Sequence, residues 1–277
     1  MDRFPPGFET NEELRSAFIR EITVWQLEDA AKAADDREAR LVSIPKRLIR
    51  YWHDPSDLPE DVRACLDSWD CLADDGFEFH MFDDASGAAY IADNYGDRER
   101  KAFARCSHPA MRSDYLRMCF VFAEGGLYVD ADDVLLGDGW KRVFRDGRLK
   151  LQPLCYDIAA GAMAAAADIW RPDLPAEDRV FYVNNDPLAA PAGHPVLCRA
   201  LITATAKLLD DDWNPEIQST TGPGNLTAAL AAHARNLRLT GSPPDFELLR
   251  DWDSIAEIRW DLSYRGDSRN WRNVYGC

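Results

Sequence analysis

Apolar residues recur along this chain with two different periods, and their alternation predicts an α/β protein. Within residues 9–40, Leu14, Phe18, Ile22 and Trp25 follow one another at helical spacing, before the sequence turns polar in QLEDAAKAADDREAR. That segment has the pattern of a helix docked on a main domain, with a surface for an acceptor or partner as the sharper reading. Residues 44–52 read as a first strand, where Pro45 is tolerated only near the start or on an edge. Asp57, Leu58, Pro59 and Glu60 have the form of a cap with a reciprocal glutamate. They open a helix with Val62, Cys65, Leu66 and Trp69 on one apolar face. Phe77 to Met81 alternates as a second strand and puts His80 in polar surroundings. Residues 84–105 read as helix, interrupted near Asn94 and Gly96. LKLQPLCY and FYVNN supply further strands, the alanine-rich 158–167 between them is helix or loop, and 195–209 and 226–233 are helices.

The densest signal is PAMRSDYLRMCFVFAEGGLYVDADDVLL, residues 109–136. Pro109 suits a first helical turn, and Gly125-Gly126 suits a left-handed exit. Between them LRMCFVFA is apolar on nearly every side, as in a helix covered by other elements. Asp114 and Arg117 stand three apart on one face of that helix, and buried charges are costly unless paired or bound, so they mark a site. Leu127, Tyr128 and Val129 then make a short strand ending in Asp130-Ala131-Asp132-Asp133. In an extended chain Asp130 and Asp132 project together and Asp133 faces away. Two such carboxylates suit a hard divalent cation, Mg2+ or Mn2+. The triplets at Asp210 to Asp212 and Asp251 to Asp253 lack this context: the first ends an amphipathic helix and the second follows a strand-like FELL. Only the triplet at 130–132 follows a buried helix, a double glycine and a short strand, so it lies at a strand's carboxyl end, where open α/β sheets place ligands, and 251–253 is the weaker competitor.

Composition narrows the function classes. A length of 277 residues accommodates one catalytic α/β unit, residues 41–277, with a helical extension at 1–40. With 48 Asp and Glu against 32 Lys and Arg, the net charge of −16 opposes attraction to nucleic acid or to an anionic membrane. Seven cysteines without a C-x-x-C pair do not form a disulfide framework, which points to a reducing compartment. MDRFPPGFETNEELR lacks the apolar run of a signal peptide, and the longest apolar stretch, 158–167, is too short to span a bilayer. A soluble protein is expected.

SDYLR followed by EGGLYVDAD resembles the central motif of the DXD-containing sugar-transferase family, which includes initiating α-mannosyltransferases and capsular-polysaccharide transferases and, distantly, the large clostridial glucosylating toxins. IPKRLIRYW at 44–52, NNDPLAAPAGHP at 184–195 and TTGPGNLT at 220–227 are similar in the same order, so the resemblance spans about residues 44–227. It implies a GT-A-like, nucleotide-sugar-binding mixed sheet flanked by helices. It further implies a metal-dependent, retaining hexosyl transfer from a UDP- or GDP-sugar to a hydroxyl of a glycan or other acceptor. Trp52 would lie against the nucleobase, as a flat ring on a flat base. Asp114 would hold sugar hydroxyls, Arg117 would hold the donor or fix Asp114, Asp130 would contact ribose, sugar or metal, and Asp132 would bind Mn2+ or Mg2+. Asn185 is a further candidate for sugar hydroxyls. Gly222 opens a loop whose backbone N–H groups and helix dipole favour phosphate. Trp271 belongs to a tail that covers the diphosphate in distant relatives. Yeast relatives are membrane-anchored, so the lack of an apolar segment favours a bacterial cytoplasmic enzyme or a secreted effector. The alternatives are a catalytically silent nucleotide-sugar-binding module and a haloacid-dehalogenase-type phosphatase, since YVDADDV also resembles the latter's D-x-D-x-V signature.

Overall fold

The computed structural model describes residues 3–32, 43–212 and 216–275. Among the described residues nine strands form, β1 (Arg47–Tyr51), β2 (Glu78–Phe82), β3 (Gly126–Tyr128), β4 (Asp133–Leu135), β5 (Leu149–Asp157), β6 (Ala162–Met163), β7 (Arg179–Ala190), β8 (Phe246–Leu248) and β9 (Ala256–Ile258). The helices are α1 (Glu12–Lys32), α2 (Glu60–Asp67), α3 (Asp84–Asn94), α4 (Asp97–Ala104), α5 (Pro109–Glu124), α6 (Ala166–Ile169), α7 (Pro195–Leu209), α8 (Ile217–Thr220), α9 (Pro223–Thr240) and α10 (Trp271–Tyr275).

Seven strands make one mixed sheet in the order β2-β1-β3-β7-β5-β6, with β8 also paired to β5. β2, β1 and β3 run parallel, whereas β7 is antiparallel to both β3 and β5. Short β3 therefore sits in the middle, and the chain beyond Tyr128 leaves from the centre of the sheet. The period of two decides both faces. Leu48, Leu127 and Ala189 stand side by side in register and point into a cluster with Trp69, Trp140 and Trp252. Their neighbours Ile49, Tyr128 and Leu188 point the opposite way, into the main core with α1, α5, α7 and α9. With both faces covered, the α/β expectation holds: a mixed sheet flanked by helices.

α1 is bound to the sheet by more than its apolar face. Phe18, Ile19 and Ile22 lie in the main core. The Gln26 side chain donates to the carbonyl of Leu248 (3.0 Å) and accepts from the Leu248 amide (2.9 Å), completing the edge of β8 as a neighbouring strand would. Arg20 gives its guanidinium to the carbonyls of Ile169, Arg171 and Leu174, bracing the loop after α6. The polar run expected to continue this helix to residue 40 lies, from 33 on, outside the described residues. No helix among the described residues is long and apolar enough to cross a membrane, and no two described cysteines are joined.

Two local expectations need correction and one holds only in part. The capping reading at 57–60 fails, because Pro59 occupies the cap of α2 without a side-chain bond and Asp57 closes a separate turn capped by Asp54. His80 has the polar neighbour expected, Glu78 at 3.1 Å from Nε2, but its ring also packs 4.7 Å from that of Phe120. The first strand is shorter than 44–52, beginning only at Arg47.

The Gly125-Gly126 exit is dictated by space. Both residues take positive φ, 72° and 134°. A Cβ at Gly126 would lie 2.8 Å from Ile49 Cδ1 and 2.9 Å from the Arg47 carbonyl oxygen. Strain and overlap combine in Gly126→Ala, which is expected to lower stability by roughly 2–4 kcal/mol. Urea unfolding measures this, and a loss below about 0.5 kcal/mol would show that the β1–β3 junction is looser than described.

Candidate active site

α5 begins where expected, but its cap is His108, whose Nδ1 accepts from the Ala110 amide at 3.1 Å. Ten of its side chains are buried, as a helix apolar on most sides requires, and Asp114 and Arg117 are among them. The two approach to 3.4 Å. Arg117 also donates to the Asn185 carbonyl (2.9 Å), to Ser113 Oγ (3.1 Å) and to Asp130 Oδ1 (2.8 Å), and its guanidinium lies 3.9 Å above the Tyr128 ring. Burial works against this charge, yet the surrounding acids, Asp130 foremost, hold Arg117 firmly protonated. Asp114 accepts from Asn185 Nδ2 (2.7 Å) and Thr221 Oγ1 (3.2 Å). Burial first, and Asp130 against the pull of Arg117, push its carboxyl up to about 6.

The chain from Asp130 to Asp133 is a turn rather than an extension, closed by the Asp133 amide on the Asp130 carbonyl at 3.3 Å. The parity argument therefore reached the right pairing by the wrong geometry: Asp130 and Asp132 both line the cavity, and Asp133 does not. Asp133 lies behind the turn, fully buried, and among the described residues neither of its carboxylate oxygens has a hydrogen-bond partner. Burial, then Asp132 and Asp130, hold its carboxyl well above the ordinary range. Asp132 Oδ2 accepts from Tyr264 Oη (2.6 Å) and from the Arg265 guanidinium. Burial and then Asp130 push the Asp132 carboxyl upward, against Arg265. Asp186 faces the cavity as well, and its Oδ1 takes the Asp130 amide at 3.1 Å. Burial, Asp133 and Asp130 also raise its carboxyl well above normal.

Asp114, Arg117, Asp130, Asp132 and Asp186 line a cavity of about 470 Å3 at the end of β3. Trp52, just past β1, forms one wall, its ring edge-on to Tyr264 at 5.3 Å and its indole N–H held by the Asp57 carbonyl. Trp271, at the start of α10, lines the cavity too. Asn185 lines the cavity and also holds Asp114. Gly222 requires correction as a phosphate cradle: its amide is spent on the Ile217 carbonyl (2.8 Å), and a Cβ there would lie 3.3 Å from Asp114 Oδ2. It gives close passage behind Asp114. Asp253 lines the cavity through Gln152 (2.7 Å), whereas Asp251 pairs with Arg142 away from it. Sequence reasoning missed Asp186, Tyr264 and Arg265. The first sits inside the NNDP run that carried the resemblance, and that run was the available signal.

The donor set bears on the expected cation. Five carboxyls, Asp114, Asp130, Asp132, Asp133 and Asp186, gather around two guanidiniums, Arg117 and Arg265, and burial together with their neighbours pushes the carboxyls of Asp114, Asp132, Asp133 and Asp186 upward. Among the described residues no three metal-binding side chains already converge on one point. Hard cations such as Mg2+ are commonly held by one or two carboxylates plus substrate phosphates, and two carboxylates beside an open cavity fit that mode.

Residues 59–141 match the family model described as glycosyltransferase sugar-binding region containing DXD motif. The stretch includes Asp114, Arg117, Asp130 and Asp132, so the resemblance read from the sequence holds. The chain is also similar to the initiation-specific alpha-1,6-mannosyltransferase of Saccharomyces cerevisiae, at 22% identity over 205 residues. That match takes in 63% of this chain and 42% of the relative, so the likeness spans less than half the length of the curated protein. Among solved structures, PaToxG Glycosyltransferase aligns over 95% of this chain and 98% of its own, with a TM-score of 0.43 and 14% identity.

Proposed function

We propose that this protein is a metal-dependent glycosyltransferase that moves a hexosyl group, with retention, from a nucleotide-diphosphate sugar to an acceptor hydroxyl. The observation that carries this reading is the acidic turn Asp130-Ala131-Asp132, which faces an open cavity beside the buried Asp114–Arg117 pair within the matched stretch. Asp132 and Asp130 would hold Mn2+ or Mg2+ together with the donor's phosphates. When bound, the cation supplies Lewis-acid stabilisation of the departing nucleoside diphosphate. Asp114, ionised above pH about 6 and oriented by Asn185 and Thr221, accepts hydrogen bonds from sugar hydroxyls. Arg117 fixes Asp130 and Asp114 relative to each other, so that the sugar and the phosphate ends of the donor are held at one distance. Trp52 offers a ring for the base and Trp271 closes the mouth.

Incubation with a panel of UDP- and GDP-sugars and Mn2+, with released nucleoside diphosphate measured, tests the proposal. Release from one donor, abolished by EDTA, is expected. No release from any donor, with and without candidate acceptors, would overturn it in favour of a silent binding module.

A further inference from the structure

We propose that Arg265 is the exchangeable counter-cation of Asp132: guanidinium and divalent metal compete for the same carboxylate oxygen, and this competition couples metal binding to nucleotide binding. The inference rests on the metal-dependent reading above and extends it to a residue in the tail. Asp132 is 12% exposed at its side chain and Arg265 17%, so this is a largely desolvated ion pair. Its oxygen Oδ2 is taken by two donors from adjacent residues, Tyr264 and Arg265. A cation reaching Oδ2 must displace one of them, and two positive charges on one carboxylate oxygen repel.

The tail is built to hold Arg265 at that spot. Its guanidinium lies 4.5 Å over the Trp260 ring, and its carbonyl accepts the side-chain amides of Asn270 and Asn273, each at 2.9 Å. Yet Arg265 Nε is buried without a partner among the described residues, so its hydrogen bonding is incomplete and an anion of better geometry can claim the side chain. A diphosphate in the cavity is such an anion. In the free protein Arg265 keeps Asp132 neutralised and metal binds weakly; when a nucleoside diphosphate arrives, Arg265 passes to phosphate and Asp132 is released to the metal. Metal and nucleotide then bind with positive cooperativity, and by linkage each raises the affinity of the other by one factor.

The test measures Mn2+ affinity by electron paramagnetic resonance of free Mn2+, with and without UDP or GDP, in the wild type and in Arg265→Gln, Arg265→Lys and Tyr264→Phe, each checked for a wild-type melting transition. Arg265→Gln is expected to bind Mn2+ alone between about 5-fold and 150-fold more tightly, the usual span of a coupling between sites, and to lose most of the enhancement by nucleotide. Arg265→Lys and Tyr264→Phe, which keep the charge, should stay near the wild type. Unchanged or weaker Mn2+ binding in Arg265→Gln overturns the exchange while leaving the metal-dependent reading intact. Absence of Mn2+ binding in every protein, even with nucleotide, overturns both.

Discussion

Asp132→Asn is expected to lower sugar transfer by at least about a thousandfold, because in the proposed mechanism it removes the charge that would hold the cation assisting departure of the diphosphate. The substitution keeps the shape and the acceptor oxygen for Tyr264, so the fold should survive. Stability is expected to fall by no more than roughly 3–5 kcal/mol, the cost of leaving Arg265 without its partner, offset in part because burial and Asp130 already disfavour the Asp132 charge. The comparison that matters is between metal concentrations: a residue that binds the cation should show a loss that rising Mn2+ partly restores, whereas a loss independent of Mn2+ would make Asp132 a sugar contact instead.

Asp114→Asn carries the second large effect, and its sign depends on pH. The carboxyl titrates at about 6 in the folded protein against an ordinary value of 3.8. A raised folded value means that the native state binds the proton more tightly, so stability from this group is greatest below 3.8 and falls as pH rises through 6. That rise corresponds to up to about 3 kcal/mol for so deeply buried a carboxyl. Asp114→Asn removes this liability. The variant should therefore gain stability on the wild type at pH 7.5 and lose that advantage toward pH 4, while transfer falls on the order of 100-fold through loss of charged hydrogen bonds to the sugar. Wild-type kcat/KM should correspondingly decline below pH about 6. A stability difference between the two proteins that does not vary with pH would refute this account of Asp114.

The sequence made the centre of the molecule legible because local rules and burial agree there. α5 is apolar on most sides and buried on most sides, the double glycine sits where a side chain would collide with β1, and α7 spans the predicted 195–209. Where prediction failed, something distant in sequence decided the outcome. The acidic turn is folded back by its own amide and by Asp186, 56 residues away, so a strand rule could not describe it. Tyr264 and Arg265 reach Asp132 from more than 130 residues downstream, out of a tail with no period to read. Gly222 resembled a phosphate loop in composition alone; which carbonyl takes its amide depends on the short helix α8 before it. The cap at 57–60 was lost to Pro59, which offers no side-chain acceptor.

The most direct test of the central claim is the thermal unfolding of the wild type and Asp132→Asn with UDP- and GDP-sugars, with and without Mn2+. The account predicts that one nucleotide sugar raises the wild-type transition only when Mn2+ is present, and that Asp132→Asn shows little of this shift, because a ligand that binds the folded state stabilises it. Equal shifts in the two proteins, or a donor that stabilises the wild type fully in EDTA, would contradict a cation held by the acidic turn.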